Sequence, residues 1–197
     1  VDKRLVKKLK PHQVGGIRCM WNTTFESLAQ IKAGKMPGGA ILAHCMGLGK
    51  TLQSISLLAY LREARGVTGP HMVVVPKSVC SNWMREFARW CPEIRTVKLQ
   101  GAKEERAEVL RTQLIAGQFD AVVVSYESLL KESAALLRFK WKYCIIDEAH
   151  RIKNENSSLS KMVRRVRTDF RLLITGTPLQ NNLHELWSLL NFLLPEV

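Results

Sequence analysis

Acidic residues are scarce in this chain. Asp and Glu number 17 against 30 Lys and Arg, for a formal net charge of +13 and a pI near 9.9. That deficit argues for a polyanionic partner, nucleic acid ahead of an acidic membrane surface. A basic surface that is only solvated is the bland alternative. Cysteine pairs are also missing. The five cysteines (Cys19, Cys45, Cys80, Cys91, Cys144) are odd in number and form no Cys-x-x-Cys. This speaks against a disulfide framework or zinc module and for reduced thiols, most of them small buried hydrophobes. No apolar run approaches the roughly 18 residues of a membrane span. The basic amino terminus has no apolar stretch behind it, so it is not a secretory signal. There is no internal repeat and no low-complexity tract. Val1 in place of Met, and an ending just after Pro195, point to a piece of a longer protein.

What is present is an ordinary globular composition, 46% hydrophobic and 24% charged, over 197 residues. That is enough for one domain with a sizeable core. Strand-like runs occur at 40–43, 71–75, 96–99, 121–125, 143–146 and 171–175. They are continuously apolar, as strands of a parallel sheet covered on both faces must be. Amphipathic stretches lie between them, and three stripes are expected to pack on the core. These are Val79, Trp83, Phe87 and Trp90; then Ala107, Leu110 and Leu114, ended by Gly117; then Leu183, Leu186, Trp187, Leu190 and Leu194, with Asn182 and Glu185 as a capping box. Alternating β and α units predict an α/β fold, a mostly parallel sheet with helices on both faces. A ligand then belongs beyond the carboxyl ends of the strands. Residues 1–38 read as a helical preface, and 39–197 as the lobe itself.

The chain is organised around Ala43-His44-Cys45-Met46-Gly47-Leu48-Gly49-Lys50-Thr51. A short strand leads into it, and Leu52, Ile55 and Ala59 follow at helical spacing. In that setting Gly-x-Gly-Lys-Thr binds phosphate: Met46, Gly47, Leu48 and Gly49 offer backbone N–H groups at a helix N-terminus. Lys50 is placed to reach the β- and γ-phosphates of a nucleotide, and the Thr51 hydroxyl to ligate Mg²⁺. One departure stands out, since His44 occupies the place where the full loop pattern has its first glycine.

Asp147-Glu148-Ala149-His150 follows an apolar run, so its carboxylates emerge at a strand end. Phosphoryl transfer needs a carboxylate there to hold Mg²⁺, and Asp147 fits. It also needs a group to orient or deprotonate water, and Glu148 fits that. Lys50, Asp147 and Glu148 are therefore the candidate catalytic residues. A loop and a carboxylate pair on one sheet are far more specific together than apart.

Asp147-Glu148-Ala149-His150-Arg151-Ile152-Lys153-Asn154, followed by Thr175-Gly176-Thr177-Pro178-Leu179-Gln180-Asn181-Asn182, resembles the SWI/SNF-type family. These are superfamily-two, helicase-related ATPases that translocate on double-stranded DNA and remodel chromatin. The resemblance covers essentially the whole chain, as the first of two RecA-like P-loop NTPase lobes. It implies ATP and Mg²⁺, double-stranded DNA, nucleosomes and histones as partners, a second RecA-like lobe elsewhere, and the nucleus as location. By resemblance, Gln13 in Leu9-Lys10-Pro11-His12-Gln13 reads the adenine edge. Lys77, Ser78 and Asn82, then Ser125 and Tyr126, face DNA. His150, Thr175, Gly176, Thr177 and Gln180 couple nucleotide state to DNA.

Arg89-Trp90-Cys91-Pro92, the 147–160 region and the Leu-Leu-Asn-Phe-Leu-Leu-Pro ending are similar to the imitation-switch class. Ala43-His44-Cys45-Met46 and the run from Gln13 to Gly39 are similar to the alpha-thalassaemia-linked branch. Two other functions stay open at this level: a superfamily-two RNA helicase lobe, and a scaffold that docks on DNA or nucleosomes without hydrolysis. The basic residues Lys161, Arg164, Arg165, Arg167 and Arg171 are expected on a solvated helix face, with a DNA-contacting patch as the alternative. His12, His71 and His184 lack metal-like spacing and are expected to be structural.

Overall fold

Every expected strand enters a single six-stranded parallel sheet. The computed structural model describes residues 7–32, 38–43, 47–176 and 183–193. The strands are β1 (Gly38–Ala43), β2 (His71–Val75), β3 (Thr96–Leu99), β4 (Ala121–Ser125), β5 (Trp141–Ile146) and β6 (Thr168–Thr175), in the order β1-β6-β5-β2-β4-β3. β1, β5 and β6 start two or three residues earlier than their apolar runs. The extension of β6 through Thr168 pairs with Trp141 at the start of β5.

Alternate residues of each strand feed two separate cores. Val73, Val75, Val123, Ile145, Leu172 and Ile174 face one way. They pack under α1 (Pro11–Lys32), α2 (Lys50–Arg65) and α3 (Cys80–Trp90). Met72, Val74, Val122, Val124, Ile146 and Leu173 face the other. There lie α4 (Lys103–Val109, continued by a π turn over Leu110–Leu114), α5 (Tyr126–Lys131), α6 (Ser133–Leu136), α7 (Ser158–Arg165) and α8 (Leu183–Leu193). Because both faces are covered, β2 and β4 are buried along their whole length, which is why they carry no polar alternation. Helix α2 stops at Gly66, whose left-handed φ of 64° lets its N–H reach the Arg62 carbonyl while Val67 reaches Leu61.

The packing corrects three expectations. Trp83 and Phe87 are buried, but Trp90 is only half-buried and its indole donates to Glu86 at 2.7 Å. In α4 it is Arg106, not Ala107, that turns inward with Leu110 and Leu114. Its guanidinium meets the Glu132 carboxylate at 2.7 Å and the Gly101 carbonyl at 2.7 Å, so the charge goes in with its partners. In α8 the inward residues are Leu189, Phe192 and Leu193, while Trp187 and Leu190 are 55% and 42% exposed. The helix is apolar over a broad arc, with Ser188 and Asn191 outside it, and its orientation comes from Leu193 filling the space over Gly39 and Phe192 lying beneath Arg164 and Arg171.

The basic cluster divides accordingly. Lys161, Arg165 and Arg167 are exposed, but Arg171 belongs to β6, and burial pulls its pKa down from the usual guanidinium value. It donates to the Val166 carbonyl at 3.1 Å. Cys80, Cys91 and Cys144 are buried thiols, and Cys19 is exposed. The Asn182–Glu185 capping box, Leu194 and the side chains of Leu183 and His184 lie outside the described residues.

Candidate nucleotide and carboxylate site

Parallel pairing brings distant segments to one end of the sheet. Ala43, the last residue of β1, is in register with Thr175, the last of β6. Ile146 at the end of β5 aligns with Leu173, and the Asp147 N–H donates to the Val74 carbonyl on β2 at 2.9 Å. The phosphate loop, the Asp147–Glu148 turn and the Thr175-Gly176 segment therefore all leave the sheet from the same edge.

Gly47 and Gly49 hold left-handed φ values of 82° and 77°. Two such residues flanking Leu48 turn successive N–H groups inward, as an anion cradle requires. A Cβ on Gly47 would meet nothing within 4 Å, whereas one on Gly49 would lie 2.4 Å from the Gln13 amide nitrogen. Lys50 and Thr51 open α2, whose first turn holds no acidic residue to compete with an anion. Gln13 is buried beside the loop. Its amide donates to the Leu48 carbonyl at 3.2 Å, and its oxygen accepts from the Lys10 N–H at 2.9 Å. Gln53, on α2, donates to the same Leu48 carbonyl at 3.2 Å. Nothing in the motif signalled Gln53, because its partner is set by the helix's first turn against the loop. Met46 lies outside the described residues.

The carboxylate turn is held from both sides of the sheet. The Trp83 indole N–H donates to Oδ2 of Asp147 at 2.9 Å, and the Glu148 N–H to Oδ1 at 3.0 Å. The Tyr126 hydroxyl donates to the Asp147 carbonyl and lies 3.4 Å from that of Glu148. Glu148 has φ 54° and ψ 51°, and among the described residues no other non-glycine has positive φ. Such a conformation costs on the order of 1–3 kcal/mol and persists where surroundings over-determine it. His150 Nδ1 stands 3.3 Å from a Glu148 carboxylate oxygen.

Burial pushes the Asp147 carboxyl above its usual range. The Trp83 hydrogen bond and the Lys50 ammonium oppose that without cancelling it, and the Glu148 charge reinforces it. A half-buried carboxylate with that bias is short of positive charge. The Thr51 hydroxyl, the Asp147 oxygens and the phosphate cradle thus fit a divalent cation that also takes oxygens from its substrate. No group of three or more His, Cys, Asp or Glu side chains among the described residues forms a cage of its own.

A family model, the SNF2-related domain, matches residues 12–197. The chain belongs to the SNF2-related family. It is 66% identical over 157 residues to the ISWI chromatin-remodeling complex ATPase CHR11 of Arabidopsis thaliana, covering 80% of this chain and 15% of that protein. Against the ISWI chromatin-remodeling complex ATPase ISW1 of Saccharomyces cerevisiae it is 51% identical over 190 residues, 96% of this chain and 16% of that one. The structure resembles the Sulfolobus solfataricus SWI2/SNF2 ATPase core in complex with dsDNA, with a TM-score of 0.77 and 33% identity, over 96% of this chain and 36% of that one. The chain thus spans about a sixth of the relatives' length.

The remaining expected residues of this SNF2-related chain divide by exposure. Lys77 and Ser78, in the 3-10 turn Lys77–Val79, and Asn82 at the start of α3 are exposed and open to a partner. Ser125 and Tyr126 are not. They are 1% and 4% exposed, and the Ser125 hydroxyl caps α5 by accepting from the Ser128 N–H. Both side chains are occupied inside the lobe, unlike those of Lys77, Ser78 and Asn82. Thr175 is buried and Gly176 half-buried at the strand edge, and Thr177 and Gln180 lie outside the described residues.

Proposed function

We propose that this chain is the ATP-binding first lobe, preceded by the helical segment 1–38, of an ATP-dependent double-stranded-DNA translocase that remodels nucleosomes or other protein–DNA complexes. The observation that carries the reading is the meeting of the Gly47–Thr51 loop and the Asp147–Glu148 turn at one edge of a parallel sheet. Lys50 holds the β- and γ-phosphates of ATP, Gly47 to Gly49 cradle them, and Gln13 reads the adenine. Thr51 and Asp147 hold Mg²⁺, which when bound neutralises charge between the β- and γ-phosphates. Glu148 orients water, with His150 beside its carboxylate.

Lys77, Ser78 and Asn82 face the DNA backbone, and the excess of basic residues favours it. His150, Thr175, Gly176, Thr177 and Gln180 couple the two ligands. A second lobe completes the cleft, and nucleosomes place the work in the nucleus. The dsDNA-bound SWI2/SNF2 core and the chromatin-remodeling names of the ISWI relatives support the substrate. The test is phosphate release by the full-length protein with and without duplex DNA or single-stranded RNA. Stimulation by duplex DNA, abolished by Lys50→Ala and by Asp147→Asn, is expected. Stimulation only by RNA, or remodelling unaffected by either substitution, overturns the reading.

A further inference from the structure

Two buried aromatic donors reach the same carboxylate turn from opposite faces of the sheet. We infer that Trp83 and Tyr126 are positioning residues that transmit contact between duplex DNA and the lobe to the Asp147–Glu148 turn, and so couple DNA binding to Mg²⁺–nucleotide binding. This rests on the function proposed above and deepens it by naming the link.

Trp83 packs in the core formed with α2 and α3, and Tyr126 in the opposite core with Val124 and Ile146. Trp83 holds the Asp147 side chain, and Tyr126 holds the Asp147 main chain with Glu148 next to it. Their rings are 1% and 4% exposed, so neither moves without its helix. Each ring also lies within a few residues of the surface. Trp83 directly follows exposed Asn82 and lies one to two helical turns from exposed Lys77 and Ser78. Tyr126 precedes exposed Glu127, and its ring carries the exposed Arg151 guanidinium at 5.4 Å from its centre.

What these donors hold is poised to respond. Glu148 sits in the left-handed region, a conformation that reverts when the contacts imposing it loosen. A displacement of α3 or α5 by a bound duplex shifts a donor, and through it both the Asp147 oxygens and the Glu148 backbone. Binding of one ligand then changes the affinity of the other by the same factor, in both directions.

The test uses the full-length protein with Trp83→Phe, Tyr126→Phe and the double variant, each removing a donor while keeping a ring. Binding of a fluorescent ATP analogue with Mg²⁺ is titrated with and without saturating duplex DNA, and duplex binding with and without the analogue. The ratio of the two nucleotide affinities is expected to fall about tenfold in the double variant, with duplex affinity alone within about twofold of wild type. A purely structural role lowers stability and leaves that ratio alone. An unchanged ratio in the double variant, or a wild-type ratio of one, overturns the inference. Should Trp83→Phe fail to fold, Tyr126→Phe carries the same test from the other face. Lys50→Ala and Asp147→Asn run beside them. If those still hydrolyse ATP, the proposed function itself falls; if they are dead while the ratio holds, only the link does.

Discussion

Acid should destabilise this lobe through one residue far from the nucleotide edge. His71 opens β2 at the opposite end of the sheet, 1% exposed, with Tyr143 edge-on to its ring at 5.8 Å between centres. Desolvation lowers its pKa from 6.5 to about 4. The nearby Asp120 carboxylate opposes that shift, while Arg62 and Lys142 add to it. The folded protein therefore keeps His71 neutral where the unfolded chain takes up a proton. Stability is complete above about pH 6.5 and declines as pH falls toward 4. With those two values, linkage removes about 2 kcal/mol between pH 7 and pH 5. That is a sizeable share of the roughly 5–15 kcal/mol that holds a domain folded.

Asp120 does not contribute in this window. Burial would raise its carboxyl, but hydrogen bonds from Arg95 and the Arg95 and Arg62 charges outweigh that. It titrates below its ordinary 3.8, and its loss comes later. The assay is urea unfolding of wild type and His71→Gln at pH 7, 6 and 5. The variant is expected to be less stable at pH 7, because the buried ring's contacts are lost, and the gap should close by about 2 kcal/mol at pH 5. A gap that stays constant with pH would refute the reasoning, since it would mean that His71 titrates alike in both states.

Arg106→Ala, which strands the Glu132 carboxylate in a buried site, should cost about 3–5 kcal/mol in unfolding free energy, while the double change Arg106→Met with Glu132→Leu should restore most of it. Glu148→Asn keeps a residue that tolerates the left-handed region, so its melting temperature should not fall, yet ATP turnover by the full-length protein should drop by about 10²-fold or more. Gly49→Ala should weaken nucleotide binding as measured by fluorescent-analogue titration, because φ 77° strains any residue with a Cβ and that Cβ would push the Gln13 amide aside. Duplex affinity of the full-length protein should fall with salt, and Lys77→Ala should flatten the log–log slope by about 0.9 if that lysine neutralises one phosphate.

Sequence alone determined the sheet and the placing of the glycine loop and the Asp147–Glu148 pair at its carboxyl end, because both are written locally. Runs such as Met72 to Val75 and Ala121 to Val124 have no polar alternation and can only be doubly covered strands. Gly-x-Gly-Lys-Thr after β1 states its own backbone geometry, and Asp147 follows its strand directly. Only tertiary structure decided what the periodicity left degenerate. The apolar arc of helix α8 is too broad to select an inward face by itself, and that face was settled by the space above Gly39. Arg106 went into the core because Glu132, in another helix, was there to meet it. The donors to Asp147 come from 64 and 21 residues away. A hydrogen bond between residues so far apart depends on strand order and on which sheet face each helix covers, and neither is encoded in the neighbours of Trp83 or Tyr126.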